Sequence, residues 1–338
     1  MNRPRIVGSR GAQHITTTNP ETEASTSETS VIQWLLDSDP SIRWQVLRDL
    51  TDASTDTVAA ERSRVASEGW GAQLLDQQRP DGNFGDGIAI QHWRCNLFTL
   101  LHLRYLGVEP TSERVRTAVA RVQEKVTWGS EWGYSPFFEG EGEPCINGHV
   151  LALGAYFGPT SERLLQRLLS EQLADGGWNC EAERGSVRSS FHTTICVLEG
   201  LLAYESAKGA STALIHARER GQEYLLERRL FRKLSSGDVI DARWTRFTFP
   251  TLWQHDVLRG LEYLRSAKVT PDERVAEAVG LVADRRLPDG RWLLDASPRD
   301  AISDDLEDGA GQASRRITLR ARRVLKWYST STFALMAC

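Results

Sequence analysis

Two hydrophobic patterns alternate along the chain. The first is a run that is apolar almost all round near its start. It occurs as WQVLRDL from 44, NLFTLLHL from 96, GHVLALGAY from 148, TICVLEGLLAY from 194, HDVLRGLEYL from 255 and ITLRARRVL from 317. With Val46, Thr99, Val150, Val197, Val257 and Leu319 taken as equivalent, the intervals are 53, 51, 47, 60 and 62 residues. Recurrence at that spacing marks a repeat architecture. The second pattern is amphipathic: RVRTAVARVQ (114–123), RLLQRLLSEQL (163–173) and ERVAEAVGLVADRR (273–286) carry charge on one face and Leu or Val on the other. Each follows a cap signal, Pro110-Thr111-Ser112, Pro159-Thr160-Ser161 or Thr270-Pro271-Asp272. A Ser or Asp there satisfies free backbone N–H groups of the first turn, and acids favour its positive dipole end. The apolar runs predict an inner layer of helices and the amphipathic ones an outer layer.

Related turns join the layers. Pro80-Asp81-Gly82-Asn83-Phe84, Asp175-Gly176-Gly177-Trp178 and Pro288-Asp289-Gly290-Arg291-Trp292 each follow an outer helix. Asp-Gly permits a tight turn with positive φ at Gly, after which the aromatic packs back over the helix ends. No strand alternation competes with this reading. Six units of outer helix, turn and inner helix close into an all-α (α/α)6-type toroid, with the inner-helix N-termini facing one mouth. The boundaries follow: residues 1–30, rich in Ser, Thr and Glu, form a disordered tail, 31–330 one toroid domain, and 331–338 a C-terminal tail.

Composition narrows the function classes. The formal net charge is −4, and the arginines are interspersed with acids along helices, so a nucleic-acid surface is not expected. No run approaches 18 apolar residues, which argues against a membrane span. Five cysteines at irregular positions, without a secretory leader, fit reduced thiols and a cytoplasmic location. No nucleotide-cofactor motif stands out. Eleven tryptophans against two methionines is unusual, and several sit beside the Asp-Gly turns. They pack helix ends or line an aromatic cavity.

The turns LDQQRPDGNFGDG, SEQLADGGWNC and ADRRLPDGRW resemble the QW repeats of squalene cyclases and the glycine-rich turns of protein prenyltransferase beta subunits. The resemblance spans most of residues 35–330. It implies the toroid fold and a hydrophobic, isoprenoid-like small-molecule substrate. The D-x-D-D acid of hopene-type cyclases is missing; Asp37-Ser38-Asp39-Pro40 and Asp304-Asp305-Leu306-Glu307-Asp308 are near misses. The zinc-binding Asp-x-Cys and later His of the prenyltransferases are matched by Glu143-Pro144-Cys145 and by His192, with Glu in place of Asp. Cys145 and His192 lie 47 residues apart, the Val150–Val197 interval, which puts them at equivalent mouths of adjacent inner helices. Cys180 stands as a further ligand or a replacement for Glu143, so the resemblance implies a zinc held by Cys145, Cys180 and His192. The approach WGSEWGYSPFFEGEGEP carries four Glu and no base, unlike the family's diphosphate site.

Other residues offer chemistry of their own. Asp256 opens the fifth inner helix beside His255, either as an acid or base tuned by burial or as a first-turn cap. Trp93, Tyr134, Phe191 and Trp253, together with Trp44, fall at or near inner-helix starts. There they line a substrate pocket or pack between layers. The leading expectation is an isoprenoid-processing enzyme, a cyclase or prenyl-transfer-like protein, with catalysis at Asp256 and Glu143. One alternative is a non-catalytic lipid- or partner-binding barrel with a structural metal. Another is a carbohydrate-active (α/α)6 enzyme, which requires Glu143 and Asp256 to face each other about 5–10 Å apart.

Overall fold

The computed structural model describes residues 29–85, 92–297 and 309–336, without the side chains of His92, Trp93 and residues 332–336. Among the described residues all regular structure is helical, with only isolated β-bridges. Six helices form the inner layer: α2 (Pro40–Leu50), α5 (His92–Leu106), α7 (Pro144–Phe157), α9 (Phe191–Lys208), α11 (Val257–Ser266) and α13 (Arg315–Met336). They are the six apolar runs read from the sequence. Outside them lie α1 (residues 29–36), α3 (Thr55–Ser63), α4 (Gly69–Asp76), α6 (Glu113–Lys125), α8 (Glu162–Ser170), α10 (Thr212–Glu227) and α12 (Glu273–Asp284). Of these, α1, α3, α4 and α10 were not singled out by the pattern. Residues 331–336 of the expected C-terminal tail continue α13, which runs through Met336, and its last two residues lie outside the described ones. The expected N-terminal tail falls almost wholly outside the described residues.

The inner ring closes on itself. Contacts run α5–α7–α9–α11–α13–α2, and α2 returns to α5 through Trp44 Nε1 donating to the Leu106 carbonyl at 2.9 Å. At the seam, Arg323 donates to Gln45 Oε1 and Lys326 to the Asp49 carbonyl, both at 2.9 Å. Burial separates the layers as the periodicity predicts: α7 buries every residue from Pro144 to Gly154, whereas α6 buries only Val115, Ala118, Val119 and Val122. The caps are those read from the sequence, with Ser112, Ser161 and Asp272 accepting from the backbone N–H of Val115, Leu164 and Arg274.

The turns share one construction. Gly82, Gly176 and Gly290 have φ of 86°, 96° and 83°. At Gly176 a Cβ would lie 2.6 Å from the Arg220 carbonyl of α10, so backbone freedom and close packing both demand glycine. Gln78 and Gln172 each bridge two carbonyls, the turn glycine's and that of Ala118 or Ala217 on the next outer helix. The aromatic after the glycine is fully enclosed, and its backbone N–H is received by a first-turn side chain of the next inner helix. These pairs are Phe84 to Asn96, Trp178 to Thr194 and Trp292 to Thr318. Trp178 and Trp292 also donate their indole N–H, at 2.7 Å, to the Leu168 and Val282 carbonyls of the preceding outer helices. The repeat is therefore a hydrogen-bonded clamp between three successive helices. Between α7 and α9 the backbones touch: a Cβ on Gly200 would stand 2.4 Å from the Gly148 carbonyl.

One connection enters the barrel. After α10 the chain runs through 246–254 with Phe249 and Leu252 buried. Arg259 of α11, only 2% exposed, holds this loop by donating to the Leu252 and Gln254 carbonyls at 2.9 and 2.6 Å.

Candidate functional site

The larger cavity lies beside the C-terminal parts of α5, α7 and α9, along α2 and α11, and against the first half of α13. It encloses about 600 Å³ and is lined by residues such as Trp44 of α2, Tyr105 of α5, Tyr156 of α7, Leu202 of α9, Tyr263 of α11 and Leu319 of α13, with Phe249 and Thr251 from the inserted loop. A smaller cavity of about 210 Å³ lies on the other side of that loop, lined by Arg246, Thr248, Trp253 and Gln254 together with His192, Arg243, Trp244, His255, Asp256 and Ala296. The two share no lining residue, so the 246–254 loop is the wall between them.

The central cavity is aromatic and strongly basic. Eight arginines line it against two glutamates. Arg259 forms a two-pronged ion pair with Glu199, both contacts at 2.8 Å. Burial alone would raise the Glu199 pKa; the Arg259 charge overrides it and holds the carboxyl at about 2. Arg320 pairs with Glu262 at 2.5 Å. Arg48 and Arg323 share Asp49, which stands behind the cavity wall. Burial pushes Arg323 down to about 10. Arg62 serves the Gly107 carbonyl and the Tyr156 hydroxyl and, with Arg48, flanks the Trp44 ring. Arg316 stands 4.5 Å over the Phe249 ring. Arg104 and Arg265 make no hydrogen bond or ion pair among the described residues, and the buried Nε atoms of Arg265 and Arg323 and the buried Tyr105 hydroxyl have no hydrogen-bond partner.

The sequence carries a signal for these groups. Arg48, Glu199 and Arg259 occupy the same position, two residues past Val46, Val197 and Val257. A charge recurring inside helices that are otherwise apolar has to be paired or to face a cavity.

At the predicted mouth, three of the expected residues do converge. Glu143 precedes α7, Cys145 lies buried in its first turn, and Cys180 comes from the turn before α9; their ligand atoms lie within 4.8 Å of one another. The Cys145 thiol points to Glu143 Oε2 at 3.6 Å, and Cys180 Sγ lies 3.4 Å from the Thr193 hydroxyl. The hydrogen bond between the two thiols lowers the Cys180 pKa and, with burial, raises that of Cys145. Two sulfurs and a carboxylate suit zinc, with a fourth position left for water. His192 is not in this group. Its Nδ1 accepts the His255 backbone N–H at 2.7 Å, its ring meets Trp244 edge-on, and burial keeps it neutral; it faces the smaller cavity. Equal repeat spacing placed it at the right height, but the loop holding His255 claims its side chain.

The acidic approach is also answered by bases. Glu139 binds Arg163, and Arg167 of α8 donates to the Glu141 and Gly142 carbonyls. Glu141 is buried, which pushes its pKa up to about 7.

The remaining expected residues divide. Asp256 caps α11, accepting from the Arg259 backbone N–H at 2.7 Å and the Thr248 hydroxyl at 2.8 Å; burial raises its pKa. His255 is buried between Phe191 and Trp244, donates Nε2–H to the Leu230 carbonyl at 2.8 Å, and is held neutral by burial, with a pKa of about 3. Trp253 lines the smaller cavity and leans on Phe98 at 5.6 Å. Two substrate-binding expectations are corrected. Phe191 packs into the core against Tyr224, Trp244 and His255 and lines neither cavity. Tyr134 is 65% exposed in a turn with φ of 54°, away from both cavities. Trp93 falls outside the described side chains. Glu143 lines neither cavity, so it does not face Asp256 across one, and the carbohydrate-cleaving pair is lost.

No family model matches the chain. Human lanosterol synthase is 30% identical over 183 residues, covering 47% of this chain and 24% of that enzyme. The mouse enzyme is 35% identical over 115 residues, covering 31% and 15%. The chain thus spans about a quarter or less of the relatives it matches. Among solved structures, the type II terpene cyclase MstE from Scytonema in its apo form covers 92% of this chain and 99% of its own at 16% identity, with a TM-score of 0.48. A variant of MstE in complex with its product merosterolic acid A gives 17% identity, 92% and 98% coverage and a TM-score of 0.47. Among the described residues no helix is long and apolar enough to cross a membrane. In sequence, the chain is similar to the squalene-cyclase-like proteins that its turns resemble, over the stretch matched.

Proposed function

We propose that the protein is an isoprenoid-processing enzyme of the terpenoid-cyclase type, with Asp256 as its proton donor. The observation that carries this reading is a buried carboxyl, raised in pKa by burial, in a cavity walled by Trp244 and Trp253. When protonated, this carboxyl would transfer its proton to a terminal alkene: a C–H bond forms, the carboxylate remains, and the positive charge passes to the adjacent tertiary carbon. Indole faces attract such a charge by about 0.5–2 kcal/mol each. Loss of a proton from the cyclised cation ends the sequence and restores the acid. Likeness to lanosterol synthase supports the same class. A zinc held by Glu143, Cys145 and Cys180 would lie apart from both cavities, which favours a structural role that ties the α7 start to the turn before α9.

The second reading, a lipid-binding barrel without turnover, is favoured by the two hydrogen bonds Asp256 accepts as a cap. Asp256→Asn separates the two, because Asn is an equally good cap but carries no acidic proton. Purified protein would be incubated with linear polyprenyl alcohols, squalene and its epoxide, and products read by mass spectrometry. Cyclised product from the wild type, at least a thousandfold less from Asp256→Asn, and equal melting temperatures are expected. Undiminished turnover in the variant removes Asp256 as the acid, and ligand binding without any product supports the lipid-binding barrel. Elemental analysis that finds no zinc in folded wild type removes the metal.

A further inference from the structure

We propose that the arginine-lined central cavity binds a phosphate-type oxyanion, either free or as the diphosphate head of an amphiphile. This goes beyond the cyclase reading and does not depend on it.

The cavity carries unmet positive charge. Glu199 and Glu262 are the only carboxylates among the described lining residues, and each is already committed to an arginine. Among the described residues Arg104 and Arg265 make no hydrogen bond or ion pair, though they feel the charges of Glu199 and Asp49 at longer range, and the Nε–H groups of Arg265 and Arg323 are buried with nothing to receive them. A desolvated guanidinium without an acceptor is costly, and the cost is recovered when an oxyanion arrives. Several guanidinium forks from different helices around one space match an anion with many oxygens and more than one charge better than they match a lone carboxylate. A volume of about 600 Å³ exceeds what the anion alone requires, and the aromatic surfaces of Trp44, Tyr105 and Phe249 provide for an apolar remainder.

A structural explanation competes. Arg48, Arg104 and Arg265 lie in the last turns of α2, α5 and α11. Five inner helices, α2, α5, α7, α9 and α11, end near this cavity, each with about half a negative charge at its C-terminus. If these arginines serve only to offset the helix ends, removing one destabilises the fold. If they serve a ligand, removing an unpartnered one leaves stability unchanged or raises it, while binding is lost.

The experiment is calorimetric titration of the full chain with inorganic pyrophosphate, with farnesyl diphosphate and with farnesol, alongside thermal melting without ligand. Arg104→Gln and Arg265→Gln are compared with wild type, and Arg163→Gln on the outer face of α8 is the control. Saturable binding of pyrophosphate or farnesyl diphosphate is expected. It should weaken about tenfold or more in each cavity variant, as for loss of a charge-assisted bond, and stay unchanged in the control. Melting temperatures of the cavity variants should equal or exceed wild type. Equal affinity for the two anions identifies a free-anion site; much tighter farnesyl diphosphate identifies an amphiphile's head. Absence of binding by both anions overturns the proposal, as does undiminished binding in both variants. A lowered melting temperature in both cavity variants also overturns it, in favour of the helix-end role. Farnesol binding without anion binding would leave the isoprenoid reading standing and this one refuted.

Discussion

Replacing Arg259 by Met tests whether the inserted loop depends on one side chain. Arg259 is 2% exposed and makes two contacts with Glu199 and two with loop carbonyls. Breaking a buried pair strands the remaining charge and costs about 3–5 kcal/mol. The titration of Glu199 gives an independent figure. A carboxyl moved from 4.5 to about 2 is worth about 3 kcal/mol. Because the folded pKa is depressed, that stabilisation is present above pH 4.5 and is lost as pH falls toward 2. The assay is urea unfolding followed by tryptophan fluorescence at pH 7. Arg259→Met should lose about 3–5 kcal/mol. The double change Arg259→Met with Glu199→Leu should recover part of it and remain about 2 kcal/mol below wild type, since two carbonyls still lack their donor at about 1 kcal/mol each. A single variant within 1 kcal/mol of wild type, or a double variant no better than the single, would refute the account of a buried pair that anchors the loop.

Further outcomes follow from the same geometry. Trp178→Phe removes the indole bond to Leu168 and should cost about 1 kcal/mol, whereas Trp178→Ala empties a fully buried site and should cost about 3–5 kcal/mol; chemical denaturation distinguishes the two. Gly200→Ala forces a Cβ against the Gly148 carbonyl and should cost about 1–3 kcal/mol or more, read as a lower melting temperature. Burial holds His102 at a pKa of about 4 and His149 and His255 at about 3. Their folded values lie below 6.5, so the stability they confer is complete above pH 6.5 and declines below it. The urea midpoint should therefore fall as pH drops from 6.5 toward 4, and His149→Leu should flatten that slope by about one proton.

The barrel was legible in the sequence because its determinants are local and repeated. Periodicity named all six inner helices, and three Asp-Gly turns announced the clamps that join the layers. Four other helices were missed for equally local reasons. α3 buries no residue at all, and α4 is a short GWGAQLLD segment without a side-chain cap. The site was legible only where spacing suffices. Glu143, Cys145 and Cys180 meet because two helix starts in neighbouring repeats must be adjacent. His192 meets the same spacing rule and fails, because the His255 backbone N–H, brought in where the 246–254 loop ends, takes its Nδ1. Aromatic residues at helix starts were read as a cavity lining, yet Phe191 was claimed by the core and Tyr134 by solvent.

The loop also sets the electrostatics that any chemistry here must obey. On one side lie eight guanidinium groups against two carboxylates; on the other lie a buried carboxyl, two histidines held neutral and indole faces, with Arg243, paired to Asp241, and Arg246, which serves the Asp295 carbonyl. An oxyanion is drawn to the first environment, where guanidinium groups outnumber carboxylates, and the indole faces of the second suit a carbocation better than the first does. A neutral wall of Phe249, Leu252 and Trp253 keeps the two fields apart, and Arg259 fastens it by its main-chain carbonyls while spending its own charge on Glu199. An amphiphilic isoprenoid carrying an anionic head has one end suited to each compartment. A polyprenyl chain that occupied both would have to displace Phe249 or Trp253, so ligand length becomes a probe of the wall. Short anions should bind without altering Trp253 fluorescence, and long prenyl diphosphates should change it.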